Sequence, residues 1–258
     1  MPESTAPRDL IVVATHAPFR EEVQDVPEHP EGDEGWALQP CQRGEPPFYI
    51  EHIRRGAVLA AHNPAALLIF SGGQTRKEAG RRSEAAAYVR TAQFYDFWIR
   101  DTALRASVAK RAAAEDYARD SFENLLFGIC RFQQVAGQYP RNLVVVGWAF
   151  KGARFDLCRA ALRFPAGRFR YEGCNDPIDL KSALRGESKT LRDFIESRYG
   201  AGGDLALKRE ERDPFHHQHP YASCPGLSAF FEFIGDPENG QRDFPGRLPW
   251  EDQGPGGA

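Results

Sequence analysis

The sequence has no long apolar run. Its most apolar stretches, residues 65–70 and 143–146, are of strand length, far short of the roughly 20 residues a membrane-spanning helix needs. The N-terminus shows no basic region followed by an apolar stretch and a small-residue cleavage site. It runs almost directly into Asp9-Leu10-Ile11-Val12-Val13, so no signal peptide is expected. There is no CxxC pair. Five widely spaced cysteines, Cys41, Cys130, Cys158, Cys174 and Cys224, fit reduced thiols and a cytoplasmic location; Cys130 and Cys158 read as small core residues. There is no glycine-rich dinucleotide fingerprint, which argues against nicotinamide or flavin binding. No long basic block is present, and 33 Lys+Arg against 36 Asp+Glu leave a net charge of -3, so neither nucleic acid nor a membrane is an expected partner. No internal repeat appears.

What is present is 258 residues with an ordinary 41% apolar share. The expected organisation is a single α/β domain over 1–250, with a polar excursion at 20–47, a C-terminal extension from about 202, and a disordered tail at 251–258. Short apolar, β-branched runs at 10–14, 65–70 and 142–146 read as buried strands, with weaker ones between 106 and 114 and at 169–172. Helical periodicity follows Pro46-Pro47, follows Ser83 from Glu84 onward, and follows Ser121 up to Gly137. Further helices are expected at about 152–163, at 188–199 with Ser188 as the cap, and near 227–233. Strands alternating with helices predict a Rossmann-like parallel sheet with helices on both faces, a three-layer sandwich. In such folds ligands bind beyond the carboxyl ends of the strands, where strand order reverses.

The strand ends hold the chemistry. Ser71-Gly72-Gly73 is followed by Arg76. Glycines there let backbone amides approach a ligand and form an anion nest, with Arg76 adding a charge; a tight turn is the plainer reading. Lys151 and Arg154 share a face at a helix start, where cations oppose the helix dipole and make sense if an anion sits there; two solvated surface cations are the alternative. The segment 115–124 holds four carboxylates. Asp120 and Ser121 suit helix capping, leaving Asp116 and Glu123 for proton transfer or metal ligation. Glu84 sits where an acid complements a helix dipole. His16 directly follows a strand. His216-His217-Gln218-His219 has no Cys or carboxylate at ligand spacing, which disfavours a metal there.

Several blocks in one order resemble the SanA/YdcF/ElyC-like domain family of uncharacterised proteins, most closely its fungal cytosolic branch. They are the His16 turn, Trp36, Gln42-Arg43-Gly44-Glu45, Phe70 to Arg76, Ser83-Glu84, Glu115 to Asn124, Phe150-Lys151 with Arg154-Phe155, and Asn175-Asp176-Pro177. Arg212-Asp213-Pro214-Phe215, residues 221–225 and Leu248-Pro249-Trp250 match that branch's C-terminal segment. The resemblance implies a Rossmann-like fold with its site at the strand ends; one bacterial member is associated with S-adenosylmethionine. This chain departs from the bacterial pattern in carrying Lys151 where His is usual, and Gly147-Trp148 where Thr-Ser is common.

The expected activity is that of a hydrolase or transferase acting on a phosphate- or carboxylate-bearing small molecule. His16, Asp116, Glu123 and Lys151 are the expected catalytic residues. Ser71, Gly72, Gly73, Arg76, Glu84, Ser121, Asn124, Arg154 and Asn175 are the expected ligand contacts, with a divalent metal ion or S-adenosylmethionine as the candidate cofactors. The alternatives are a nucleotide or S-adenosylmethionine binding module, or an interaction protein without chemistry.

Overall fold

Five parallel strands form one sheet in the order β3-β2-β1-β4-β5. The computed structural model describes residues 6–251. The strands are β1 (Asp9–Ala14), β2 (Ala66–Ser71), β3 (Ala112–Glu115), β4 (Asn142–Gly147) and β5 (Phe169–Gly173). Helices α1 (Pro46–His62), α2 (Glu84–Phe94) and α3 (Thr102–Lys110) cover one face, and α4 (Ser121–Ala136) and α5 (Gly152–Ala161) the other. The sandwich read from the sequence is the observed fold.

Strand alternation explains the two cores. Ile11 and Val13 of β1 point with Leu68, Phe70 and Val146 toward α1 and α2. Leu10 and Val12 point with Leu67, Ile69 and Val145 toward α4 and α5. Both faces of β1 are dry, which is why its sequence is apolar throughout rather than alternating. The crossover through α4 runs from edge strand β3 back past β1 to β4. Strand order therefore reverses between β1 and β4, and their carboxyl ends part to form a crevice.

Three expectations about helices and strands need correction. The weak strand expected between 106 and 114 is mostly α3. Asp101 caps that helix by accepting from the Leu104 amide at 2.7 Å, and its alanines are strong helix formers. Only Ala112–Glu115 remain extended. The helix expected from Ser188 begins eight residues earlier as α6 (Leu180–Glu196), capped by Asp179, which accepts from the Ser182 amide at 2.9 Å. Ser188 is no cap. Its hydroxyl donates back to the Leu184 carbonyl at 2.9 Å, the mid-helix alternative open to serine. A further helix, α7 (Gly203–Glu211), lies where only irregular polar chain was expected; it buries little beyond Leu205 and so leaves a faint apolar signal.

The excursion and the extension are tied to this body. Trp36 is fully buried among Phe19, Tyr49 and Tyr88, and its indole N–H donates to the Pro30 carbonyl at 2.9 Å. Phe230 of α8 (Ser228–Gly235), Leu227, Leu248 and Trp250 join the core beside α4 and α5. The Trp250 indole donates to the Leu162 carbonyl at 2.7 Å. Of the expected tail, only Glu251 lies within the described residues. All five cysteines are unpaired, with Cys130 and Cys158 buried. Among the described residues, no helix is long and apolar enough to cross a membrane.

Candidate functional site

A cavity of about 420 Å³ opens at the β1/β4 crevice, a size suited to a small metabolite. Thr15 and His16 enter it from the end of β1, Thr75 and Arg76 from the β2 loop, and Glu84 from the first turn of α2. Ser121 and Asn124 come from the start of α4. Trp148, Lys151 and Arg154 come from the β4 loop and α5. The excursion closes one side with Gln42 and Glu45, and Arg212, just past α7, reaches in from the extension. Residues nearly two hundred positions apart thus share one hollow because the topology parts two strands there.

Several expected site residues lie elsewhere. Gly72 and Gly73 form no anion nest. Their amides donate to the Glu115 carbonyl at 3.0 Å and the Ala118 carbonyl at 2.7 Å, and their carbonyls accept from the Ala85 and Glu84 amides of α2. Neither glycine has a positive φ; a Cβ on Gly72 would fall 1.8 Å from Thr15 Oγ1, so this glycine serves close packing. Ser71 is fully buried and donates to Glu115 at 2.6 Å. Asp116 accepts from the hydroxyl of Ser83, the α2 cap, and does not line the cavity. Glu123 is clasped by Arg119 at 2.6 Å and Arg209 at 3.4 Å and is also outside the lining. Asp116 and Glu123 are therefore engaged as structural acceptors rather than presented to a ligand. Asn175 meets His52, not the cavity.

Charge distinguishes the cations around the cavity. Arg154 is answered by Glu187 of α6, with the guanidinium Nε at 3.0 Å. Arg76, Lys151 and Arg212 have no carboxylate at ion-pair distance among the described residues. Burial, together with Arg154 and Arg212, pushes the Lys151 ammonium down to about 7. Burial and the same cations hold His16 well below the usual histidine range, so its imidazole is neutral at pH 7. The carboxylates at hand are already engaged. Glu84 accepts from Thr15 at 3.0 Å and from Thr75, and Glu45 accepts from the Tyr49 hydroxyl at 2.8 Å. Burial raises the Glu45 carboxyl, partly offset by Tyr49 and Lys151.

Beneath the cavity, Glu115 is fully buried and accepts from Ser71, from the Tyr117 amide at 2.9 Å, and from Tyr221 of the extension at 3.1 Å. Burial nevertheless raises it from the ordinary 4.5 to about 7. Between those values the unfolded chain has released a proton that the folded chain retains, so this group's contribution to stability falls as pH rises from about 4.5 to about 7. Glu115→Gln is expected to gain stability relative to the parent across that interval and to hold a constant difference above it. Urea unfolding at pH 4.5, 6 and 8 checks this; a difference independent of pH would overturn it.

The sequence did not single out Thr15, Gln42, Glu45, Thr75 or Arg212 as ligand contacts. Gln42, Glu45, Thr75 and Arg212 lay within noted segments, but nothing local says that an excursion and an extension fold back over the same strand ends.

The chain is 28% identical over 270 residues to a Saccharomyces cerevisiae protein described as "Uncharacterized protein YOR238W", a match covering 84% of this chain and 88% of that one. A fungal relative agrees with the fungal part of the resemblance. No protein-family model matches the chain, and no solved structure matches it.

The candidate cofactors were weighed against these residues. No group of three or more His, Cys, Asp or Glu side chains among the described residues is arranged to hold a metal ion. The His216–His219 run is spent on packing, His217 on Tyr117 at 4.3 Å and His219 on Phe127 at 4.6 Å. S-adenosylmethionine carries a carboxylate beside its positive sulfonium, and the cavity presents Glu45 and Glu84 as well as Arg76, Lys151 and Arg212.

Proposed function

We propose that this protein is an enzyme, a hydrolase or transferase of small molecules, that binds an anionic substrate between Arg76, Lys151 and Arg212 and uses neutral His16 as its proton acceptor. The observation that carries the reading is the trio of cations without carboxylate partners around one cavity. Gathering uncompensated charge in a partly dry hollow is costly, and a multiply charged anion such as a phosphate group removes that cost. A fixed cationic cradle also stabilises negative charge that develops during transfer, and an imidazole kept neutral can take a proton from water or a hydroxyl. The resemblance to the SanA/YdcF/ElyC-like family and a cytoplasmic location belong to the same proposal.

Sulfate tests the cradle, because its charge is constant over the relevant pH range. It is expected to raise the melting temperature, by the amount that saturating a site at about 100 times its dissociation constant gives, about 2.7 kcal/mol. The free Lys151 ammonium titrates at about 7, and a bound anion raises that value. Above pH 7 sulfate affinity is therefore expected to fall by about tenfold per pH unit until the bound-state value is reached. Lys151→Arg should flatten this profile. Stabilisation by adenosyl ligands with none by sulfate, phosphate or pyrophosphate would favour the binding-module reading instead. Absence of turnover across phosphoesters, anhydrides and activated carboxyl compounds would remove the enzyme reading.

A further inference from the structure

His16 does not stand alone. His52, on the face of α1 turned to the sheet, is fully buried, and its ring meets the His16 ring edge-on with centroids 5.3 Å apart. Trp148 contacts both, stacked on His16 at 5.6 Å and edge-on to His52 at 5.0 Å. The His52 Nε2 atom lies 2.8 Å from Asn175 Oδ1. That oxygen can only accept, so Nε2 of His52 carries the proton and Nδ1 of the neutral ring is a bare lone pair. This Nδ1 is buried with no partner, and so is Nε2 of His16 on the neighbouring ring. Buried polar atoms are rarely left unpaired. The two rings touch edge-on without a hydrogen bond between these atoms, yet the orphans are complementary: one nitrogen lacks a proton, and the other is free to carry one. Burial holds both imidazoles below the usual range, His52 at about 4, so neither orphan is satisfied by a second proton.

We propose that Asn175 and His52 are positioning residues that set the tautomer of His16: a small rotation of the touching rings pairs a proton on His16 Nε2 with His52 Nδ1, and the lone pair on His16 Nδ1 is what the cavity receives. A proton taken from the substrate side would then arrive at His16 Nδ1 while the Nε2 proton stays on His16, directed at His52 Nδ1, so His16 becomes the imidazolium and His52 stays neutral. This rests on reading His16 as the proton acceptor, and it gives Asn175, which does not touch the cavity, a reason to be where it is.

Long-range nitrogen–proton correlation spectra of the full chain, labelled at histidine with nitrogen-15 and recorded at pH 7.5, report the tautomer directly. His16 is expected to be neutral with a protonated Nε2 and an unprotonated Nδ1. Asn175→Leu should lose this preference and give a mixture of tautomers. Asn175→Asp, which still accepts from His52, should keep it. His52→Gln provides a second break in the relay if either Asn175 variant folds poorly. A parent protein with His16 protonated on Nδ1 would overturn the proposal, as would a tautomer unchanged in both Asn175→Leu and His52→Gln. Sulfate titration of the same samples separates this from the anion-binding reading. The predicted tautomer without sulfate binding upholds the relay and removes the cradle, and sulfate binding with the opposite tautomer does the reverse.

Discussion

Replacing Lys151 by methionine is expected to raise the melting temperature and abolish sulfate binding together. Methionine retains an unbranched side chain of similar reach, and Trp148, Phe150 and Phe155 supply apolar neighbours along the same wall. What it removes is a cation without a carboxylate partner. Exchanging buried ion pairs for packed apolar side chains stabilises by up to about 1–4 kcal/mol, and for the partly buried Lys151 the lower end is expected, roughly 2–4 °C for a chain of this size. The gain has a pH signature. Lys151 titrates at about 7 in the fold against an ordinary 10.5, so between these values the unfolded chain binds the extra proton and the parent becomes more stable as pH rises. The benefit of methionine is thus full at pH 7 and below, and fades toward pH 10.5. Melting curves at pH 6.5 and 9.5, with and without sulfate, check both halves. A lower melting temperature with sulfate protection intact would show that Lys151 is a structural cation and not part of a binding site.

A stability gain coupled to a loss of binding is what a functional site should show, and it bears on how far the sequence could be read. Strands β1, β2 and β4 were legible to within about a residue because both their faces are dry and their composition leaves no alternative. Helix α4 was legible because Asp120, Ser121 and Gly137 mark its ends and a wide apolar stripe lies between. Helices α3 and α7 were hard to place because they lie at the surface and bury little, and the start of α6 was hidden because Ser188 reads as the cap that Asp179 provides. Strand-end logic brought His16, Arg76, Glu84, Ser121, Asn124, Lys151 and Arg154 around one cavity. It could not say which polar atoms would be spent before a ligand arrived. The Gly72 and Gly73 amides, Ser71, Asp116 and Glu123 carry suitable chemistry and sit near strand ends, yet each is engaged by a neighbour tens of residues away or by a nearby turn. His52 escaped notice for the opposite reason. In sequence it is one polar residue on an amphipathic helix, and only the approach of β5 and its loop brings Asn175 to it.

Gly72→Ala is expected to be the most damaging single substitution in the region, although it adds one methyl group and touches no ligand. An added Cβ would lie 1.8 Å from Thr15 Oγ1 and 2.8 Å from Glu84 Oε2. Thr15 cannot simply rotate away. Its one hydroxyl hydrogen is shared between the Ser71 carbonyl at 2.8 Å and Glu84 at 3.0 Å, and moving it weakens both contacts. The backbone cannot give either, because the Gly72 amide and carbonyl are held by Glu115 and Ala85. Overpacking of this kind costs about 3 kcal/mol or more, the upper end of its usual range. Gly73→Ala is the control. Its Cβ would meet the Ala118 carbonyl oxygen at 3.0 Å and Tyr117 backbone atoms at 3.1 Å, a tight fit that a small loop shift relieves at about 1 kcal/mol. Urea unfolding of the two variants should rank Gly72→Ala well below Gly73→Ala. Equal stabilities, or the reverse order, would mean that the Thr15–Glu84 contact yields easily and that the floor of the cavity is softer than its hydrogen bonds imply.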